Sequence, residues 1–266
     1  MSVIALRNAT KRFPGTGGAP HTAVRDLTFT VSAGEFVAVV GPTGCGKSTT
    51  LALISGLEPP SSGEVDVDGA PVRGIPAGVG YMFQADAVLP WRSVVDNVAS
   101  GPRYRGVPKD QARERAMVWV ERVGLSAFAK YYPHQLSGGM RKRVALAQTL
   151  VTEPRIMLMD EPFSALDVQT RALMQDELLR LWQGTGAAVV FVTHDLEEAI
   201  ALADRVIVLT AVPATIKADF PIGLPRPRDV EEVRLTTAFL EIYREIWESL
   251  REEVARSREE AMRHAG

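Results

Sequence analysis

The sequence predicts an α/β protein with a mainly parallel sheet, an N-terminal antiparallel β subdomain and an inserted helical subdomain. Short, continuously apolar runs at 156–159 and 189–192 lie on either side of a helical pattern at 168–183. Strands that alternate with helices in this way are typical of a parallel sheet covered on both faces. Strand-like segments dominate the first third of the chain, whereas residues 93–152 show helical periodicity.

In the first third, turn residues separate the strand-like segments, which lie at 3–6, 24–31, 35–40, 63–67 and 79–83. A helix is predicted at 49–55, directly after a glycine-rich run, and Gly56 is suited to end it because glycine tolerates positive φ. A strand, a glycine loop and a helix therefore follow one another in this part of the chain.

The middle of the chain has the apolar spacing of helices. Ala112, Ala116, Trp119 and Val123 recur at steps of 4, 3 and 4 positions, so they fall on one helical face. We expect a mostly helical insert over residues 93–152.

Four prolines between positions 213 and 227 mark a stretch that cannot be one regular element, and a boundary is expected near Arg228. The tail beyond it has the pattern of a long amphipathic helix, for which packing on the domain surface is favoured over dedicated partner binding. Its apolar stripe consists of Phe239, Tyr243, Ile246, Leu250 and Val254.

These patterns predict a core in two parts with two additions. Residues 1–92 form the first part of the core with the antiparallel β subdomain, and residues 153–225 form the second part. Residues 93–152 form the helical subdomain between them, and residues 226–266 form a C-terminal helical extension.

Composition excludes several classes of protein. Among 266 residues, 30 Lys and Arg face 32 Asp and Glu, so a net charge of −2 gives no general attraction for nucleic acid or anionic lipid. The longest apolar runs are far shorter than the ~20 residues that span a bilayer. Cys45 is the single cysteine and no leader-like segment is apparent, so we expect a location in the reducing cytosol.

A phosphate-binding motif lies between an apolar strand and a helix, where its mechanism requires it. Its pattern is G-x-x-x-x-G-K-[ST], and it predicts a P-loop NTPase core of the RecA-like type. Backbone N–H groups curl around the phosphates, Lys47 reaches the β- and γ-phosphates, and Ser48 ligates Mg²⁺. The motif consists of Gly41, Pro42, Thr43, Gly44, Cys45, Gly46, Lys47 and Ser48.

Two carboxylates follow the apolar run at 156–159, at the strand end where ligands of open α/β sheets bind. Asp160 is predicted to hold Mg²⁺, directly or through water. Glu161 is predicted to act as the base that orients and polarises the attacking water. Such acid pairs also cap helices, but downstream of a P-loop the catalytic interpretation is favoured.

Further motifs resemble those of ABC-transporter ATPase subunits. Residues 136–140, LSGGM, resemble the family signature LSGGQ at the start of a helix. Gln84 in YMFQ resembles the Q-loop, residues 164–167, SALD, resemble the D-loop, and His194 in VTHD resembles the switch histidine. The resemblance covers most of residues 1–210.

The resemblance implies roles for residues outside the P-loop. His194 would contact the γ-phosphate from the side opposite Lys47, and Gln84 would touch Mg²⁺ or the attacking water. Phe13 resembles the aromatic residue that stacks on adenine. Thr49 and Asp167 complete the nucleotide-binding set that the family motifs imply.

In this family the signature serves the nucleotide of a partner subunit. Ser137, Gly138 and Gly139 would grip a γ-phosphate at a helix N-terminus. The resemblance therefore implies two subunits packed head to tail around ATP and Mg²⁺, as a homodimer or with a related ATPase. Met140 departs from the family glutamine, so contacts made by that side chain are in doubt.

The resemblance also implies membrane partners. The Q-loop and the helical insert of such ATPases form a groove for a short helix of an integral-membrane permease, and a periplasmic or lipid-anchored solute-binding protein acts indirectly. Residues 87–91, AVLPW, supply apolar surface near this groove, although Leu89 and Trp91 serve equally well as internal packing.

At the subfamily level, residues 82–98 and the segment LPRPRD at 224–229 resemble the ATPases of bacterial nitrate, sulfonate and taurine importers. We therefore expect a peripheral subunit at the cytoplasmic face of the inner membrane, with no nucleic-acid partner. Thiamine-precursor import and lipid trafficking remain alternatives. A soluble ABC-type ATPase of repair or translation is disfavoured by the single core and the absence of sustained heptads.

Overall fold

The fold is described by a computed structural model that covers residues 2–15, 20–85 and 87–264. The chain forms two compact units. The first unit comprises Met1–Ala77 and Gly186–Gly266, and the second comprises Gly78–Thr185.

Strands predominate in the first third of the chain, a run of helices follows, and strands and helices then alternate over residues 156–209, as the sequence predicts. The strands are β1 Ser2–Phe13, β2 His21–Ser32, β3 Phe36–Val40, β4 Ser62–Val67, β5 Ala70–Pro71, β6 Val79–Met82, β7 Ile156–Asp160, β8 Ala188–Val192, β9 Arg205–Leu209 and β10 Ile216–Pro221. The α-helices are α1 Lys47–Ser55, α2 Val94–Val98, α3 Ser100–Tyr104, α4 Lys109–Arg122, α5 Gly138–Leu150, α6 Val168–Trp182, α7 Leu196–Leu202, α8 Val230–Val233 and α9 Thr237–His264.

The first unit contains an antiparallel sheet and a mainly parallel sheet. The antiparallel sheet has the order β2-β1-β4-β5, and its strands β1 and β2 are longer than predicted. In the second sheet, β3 lies between β9 and β8 and runs parallel to both, and β10 pairs antiparallel with β9. Every residue of β3 and β8 is buried, which explains their continuously apolar sequences.

Helix α1 ends at Gly56, which has the predicted left-handed conformation with a φ of 71°. The proline-rich stretch includes the six-residue strand β10, which the sequence analysis did not predict as an element. β10 forms there because it ends at Pro221, on the sheet edge, where a missing N–H does not interrupt the ladder.

The C-terminal helix α9 packs on α7, β9 and β10 of the same unit, so the predicted surface packing of an amphipathic helix is confirmed. Phe239, Ile246 and Leu250 of the predicted stripe are buried, and Tyr243 and Val254 are half-buried. The stripe therefore faces the domain.

The segment LPRPRD, residues 224–229, forms hydrogen bonds with residues at the end of α7. Arg226 Nε donates to Asp204 Oδ1 at 2.8 Å, and Arg228 Nη1 donates to the carbonyl oxygen of Ala203 at 2.7 Å. Burial, reinforced by Arg226, lowers the pKa of Arg228 to about 10, against the opposing effect of Asp204. The guanidinium remains charged at neutral pH and neutralises the carbonyl end of the helix.

The second unit contains the parallel pair β6 and β7 together with helices α2–α6. The predicted helical face is confirmed, because Ala112, Ala116, Trp119 and Val123 are all buried. Asn97, which is completely buried, holds the turn before α2 by accepting from Leu89 N–H at 2.7 Å and donating to Leu89 O at 3.1 Å.

The strand pairing and the helical segment confirm the predicted α/β fold class with its antiparallel sheet. The division into segments 1–92, 93–152, 153–225 and 226–266 stays a prediction. None of the helices in the described part of the chain has the length and apolar character needed to cross a bilayer.

Candidate nucleotide-binding site

The predicted P-loop connects β3 to α1. Cys45 N–H donates to Pro42 O at 3.3 Å and closes a turn within the loop. Thr43, Gly44 and Ser48 are exposed, whereas Cys45 is buried, and burial raises the pKa of its thiol despite the nearby ammonium of Lys47. The loop therefore presents Thr43, Gly44 and Ser48 to solvent and keeps its thiol inside and protonated.

Lys47 is only 5% exposed, although its side chain is cationic. Its Nζ donates to the carbonyl oxygens of Gly41 and Pro42, both at 3.0 Å. The P-loop carbonyl groups thus stabilise the buried ammonium by accepting its hydrogen bonds. A phosphate at the loop would find this charge already in position.

Gly46 cannot be replaced by a larger residue without strain. Its φ is 122°, and a Cβ atom at this position would lie 2.8 Å from Ala23 O and from Val24 Cγ1. The second glycine of the motif is therefore required by close backbone packing as well as by its conformation.

His194 emerges at the same sheet edge as the P-loop. β3 and β8 are parallel neighbours with Val39 opposite Val192, so the residues after each strand meet at one edge. His194 is exposed, and its flanks are fixed: Thr193 Oγ1 donates to Glu198 Oε2 at 2.6 Å, and Asp195 caps α7.

Phe13 ends β1 and is half-buried. Lys11 Nζ lies 5.0 Å from the centroid of its ring, so a cation–π contact occupies one face of the ring. Lys11 also pairs with Glu58 at 2.7 Å. Stacking of adenine on Phe13 stays a prediction, and it would need the other face or a displaced Lys11.

In the second unit, Gln84 and Glu161 are in contact, because each lies just after one of the paired strands β6 and β7. Gln84 Nε2 donates to Glu161 Oε2 at 3.3 Å, and Asp160 precedes Glu161 at the end of β7. The parallel pairing of Met82 with Met159 places both strand ends at the same edge.

Glu161 has an uncommon backbone conformation for a residue that is not glycine. Its φ is 43°, and Ser164 stabilises the turn by donating to Glu161 O from its N–H at 3.3 Å and from its Oγ at 3.0 Å. Such left-handed residues are enriched at functional sites because the surrounding structure has to enforce them. The chain therefore changes course at Glu161, directly after Asp160 at the end of β7.

The signature residues form the start of α5. Ser137 is the N-cap, and its Oγ accepts from Met140 N–H at 3.3 Å. A Cβ atom at Gly139 would lie 2.6 Å from Thr170 Cγ2, so the close approach of α6 requires glycine there. Helix α5 has 13 residues, and the positive end of its dipole lies at its N-terminus. Ser137, the N-cap at that end, is exposed.

Asp167 has a capping function that the sequence analysis did not consider. It is the N-cap of α6 and accepts from Thr170 N–H at 3.0 Å. This hydrogen bond lowers the pKa of the Asp167 carboxyl. Its predicted part in nucleotide binding stays a prediction.

Lys142 belongs to the site although sequence reasoning missed it. It is 3% exposed, and its Nζ donates to the carbonyl oxygen of Gln84 at 2.8 Å. Lys142 therefore connects the signature helix α5 to the Q-loop. The signal in the sequence was its place two residues after Met140 on the buried side of α5, but lysine at such a position normally indicates solvent.

The candidate Mg²⁺ ligands offer the oxygen atoms that this ion prefers: the Ser48 hydroxyl, the Asp160 carboxylate and the Gln84 amide oxygen. Because the Gln84 nitrogen is engaged by Glu161, its oxygen is the atom that a cation would take. The residues thus fit the predicted ion in chemical type.

A groove beside Gln84 lies within the second unit and has a volume of about 370 Å³. Strand β6 and helices α3 and α5 line it, and Ala87, Phe83 and Tyr104 contribute apolar surface. Tyr104 is 74% exposed, and Arg92 lies over its ring at 5.5 Å. Trp91 is 70% exposed, so the interpretation of Trp91 as internal packing is wrong.

The fold and these motifs define a P-loop nucleotide-binding protein. Residues 24–164 match the family model described as ABC transporter. The chain therefore belongs to the ABC transporter family, as an ATP-binding cassette and an ATPase that uses ATP with Mg²⁺.

Relatives and solved structures agree with this assignment. An uncharacterised ABC transporter ATP-binding protein of Methanocaldococcus jannaschii is 45% identical over 96% of this chain and 93% of its own length. A taurine import ATP-binding protein of Yersinia pestis is 44% identical over 73% of this chain and 76% of its own length. A cassette solved as a dimer in a post-hydrolysis state with ADP and Pi has a TM-score of 0.73 at 29% identity, covering 84% of this chain and all of that one.

Replacing Met140 by glutamine is expected to leave the steady-state ATPase rate equal or raise it. The side chain is half-buried and its thioether cannot donate a hydrogen bond, whereas the hydrogen bond to Ser137 Oγ comes from the backbone N–H of residue 140 and does not depend on its side chain. Met117→Gln on α4 is a matched control, since Met117 lies outside the signature and is 38% exposed. A large loss of activity in Met140→Gln would show that methionine is functionally required.

Proposed function

We propose that this chain is the ATP-hydrolysing, energy-coupling subunit of a bacterial importer for taurine, aliphatic sulfonates or nitrate. The observation that carries the proposal is the 44% identity to a taurine import ATP-binding protein over 73% of the chain. A second such relative, from Burkholderia pseudomallei, is 42% identical over 87% of the chain. The motifs supply the chemistry that such a subunit needs.

The residues of the P-loop and of β7 divide the work of hydrolysis. Lys47 would bind the β- and γ-phosphates, and Ser48 and Asp160 would hold Mg²⁺, which would neutralise developing negative charge. Glu161 accepts a proton from the attacking water, and Gln84, in contact with Glu161, orients that water. His194 contacts the γ-phosphate.

The signature acts on the nucleotide of a second subunit. Ser137, Gly138 and Gly139 lie at the positive end of a 13-residue helix and suit an anion. The P-loop of the same chain already serves one nucleotide, so the signature is available for the partner's. This supports a head-to-tail dimer, most simply of two identical chains, and the similar solved cassettes are dimeric.

The groove beside Gln84 is the proposed docking site of the permease. Its floor is formed partly by β6, which leads into Gln84, and Lys142 connects the same loop to the signature helix. A helix of the permease in this groove would therefore touch the loop that contacts the catalytic base. ATP binding and permease conformation would be linked through this contact. The solute-binding protein acts through the permease, and the cytoplasmic face of the inner membrane is the proposed location.

The proposal is tested by solute uptake into proteoliposomes. The chain is reconstituted with its permease and solute-binding protein partners, and uptake of labelled taurine, ethanesulfonate and nitrate is measured with ATP on the side of the membrane that carries this chain. ATP-dependent accumulation of one of these solutes is expected. Accumulation of a thiamine-precursor pyrimidine instead, or outward transport of lipid, would contradict the proposed substrate class.

The same assay tests the groove. Ala87→Trp places a large ring in the groove and is expected to abolish uptake while the chain still binds ATP in solution. Val118→Trp is the matched control, because Val118 is 49% exposed on α4 and does not line the groove. Equal uptake by both variants would contradict docking at this site.

A further inference from the structure

In helix α9 the carboxylate of Glu253 is buried, whereas the other carboxylates of this helix whose burial the structure describes are exposed. The side chain of Glu253 is 2% exposed, whereas that of its neighbour Glu252 is 61% exposed. Glu253 Oε2 accepts from Ala211 N–H at 3.0 Å, and Oε1 accepts from Lys217 Nζ at 2.9 Å. A buried acid on a surface helix is uncommon unless its partners require it.

The amide that Glu253 accepts belongs to the loop 210–215 between β9 and β10. Thr210 braces this loop internally: its Oγ1 donates to Pro213 O at 3.2 Å and accepts from Thr215 N–H at 2.9 Å. Thr210 N–H also donates to Thr215 O at 3.0 Å. The ends of the loop are therefore held together by hydrogen bonds within the loop.

The other side of the same loop lies against the P-loop. A Cβ atom at Gly46 would be 3.4 Å from Ala214 Cβ, and one at Gly41 would be 3.2 Å from Leu209 Cβ, at the end of β9. Ala214 is also tied to β2, because its N–H donates to Ala23 O at 3.0 Å. The end of β9 therefore lies against Gly41 and the loop 210–215 lies against Gly46, so together they form the floor beneath the two glycines of the motif.

We propose that Glu253 is a positioning residue of the nucleotide site, which holds the loop 210–215 against the P-loop from the C-terminal helix. The inference rests on the proposed nucleotide site at the P-loop. Without the carboxylate, the buried N–H of Ala211 loses its acceptor and the floor loosens. The P-loop then has to be ordered when phosphate binds, which weakens binding.

The charge state of Glu253 fits this role. Burial alone would raise the pKa of its carboxyl, but the Ala211 N–H and the Lys217 ammonium together outweigh burial and lower the pKa below its ordinary value. Glu253 is therefore ionised at neutral pH and accepts at both oxygens.

Nucleotide affinity provides the first test, with Glu253→Ala compared with Glu252→Ala. Both glutamates bond Lys217, at 2.9 and 2.6 Å, but only Glu253 touches the loop. We expect the Kd of a fluorescent ATP analogue, and the KM for ATP, to rise about fivefold in Glu253→Ala with kcat unchanged, and Glu252→Ala to stay within about twofold of wild type. Glu253→Gln, which keeps an acceptor oxygen, is expected to recover most of the affinity.

Hydrogen exchange of the nucleotide-free protein provides the second test. Faster exchange confined to residues 41–48 and 210–215 is expected in Glu253→Ala, and not in Glu252→Ala. Wild-type exchange at 41–48, uniformly faster exchange across the chain, or an unchanged Kd would overturn the inference. Failure of the wild-type chain to bind ATP would contradict the proposed nucleotide site instead, while the exchange experiment would still decide whether Glu253 holds the loop.

Discussion

The Glu161→Gln variant is expected to bind ATP with wild-type affinity and to lose turnover by about a hundredfold or more, the usual contribution of a general base. An amide has nearly the shape of a carboxylate and keeps an oxygen for the hydrogen bond from Gln84, now 3.3 Å long. It cannot take a proton from water at neutral pH. Binding and chemistry are therefore separated by this one substitution.

Slow hydrolysis should also reveal the dimer. With ATP retained, Glu161→Gln is expected to elute at twice the mass of the chain in size-exclusion chromatography with light scattering, and with ADP at the mass of one chain. Glu114→Gln, an exposed position on α4, is the control and should behave as wild type. Hydrolysis by Glu161→Gln at the wild-type rate would refute the base assignment, and a single chain in the presence of ATP would refute the head-to-tail dimer.

Replacing Lys47 by alanine is expected to weaken ATP binding about tenfold or more, because a buried charge directed at phosphate is lost. The structural reason is specific: Lys47 is 5% exposed, and its ammonium is held at 3.0 Å from two carbonyl oxygens of the loop. The substitution removes the charge and also leaves these carbonyl groups without their donor. Titration with a labelled ATP analogue measures the effect.

Lys130→Ala serves as the control for net charge, since Lys130 is an exposed lysine outside the motifs. It should bind ATP as the wild-type chain does. Unchanged affinity in Lys47→Ala would show that the P-loop interpretation is wrong.

Local patterns predicted much of the fold because local physics determines those features. Gly56 ends α1 in the left-handed conformation that glycine favours, and Ala112, Ala116 and Val123 are buried at the spacing of one helical face. Strand β10 was missed because four prolines in its surroundings indicate interruption. A proline is tolerated in a strand that lies at the edge of a sheet, and only the tertiary structure shows that β10 is an edge strand.

The sequence predicted the site residues that belong to recognisable motifs. It did not predict the residues outside the motifs that reach the site only through tertiary contacts. Gln84 and Glu161, each singled out by its own motif, lie 77 positions apart in the sequence and are in contact in the structure. Lys142 and Glu253 were missed because a charged residue on an amphipathic helix normally faces water, and only their partners Gln84 O and Ala211 N–H explain their burial. The left-handed conformation of Glu161 could not be predicted either, because glutamate does not favour a positive φ.

The pair Arg226 and Arg228 ties the segment that follows β10 to the end of α7. Arg228 donates a hydrogen bond to the carbonyl group of Ala203, directly after helix α7, which begins two residues after His194. Arg226 bonds Asp204, the residue before β9. Removing the chain from Arg226 onward would therefore also remove the side chains that bond the end of the helix that follows His194. A shortened chain therefore has to keep both arginines if the contacts at the end of α7 are to remain.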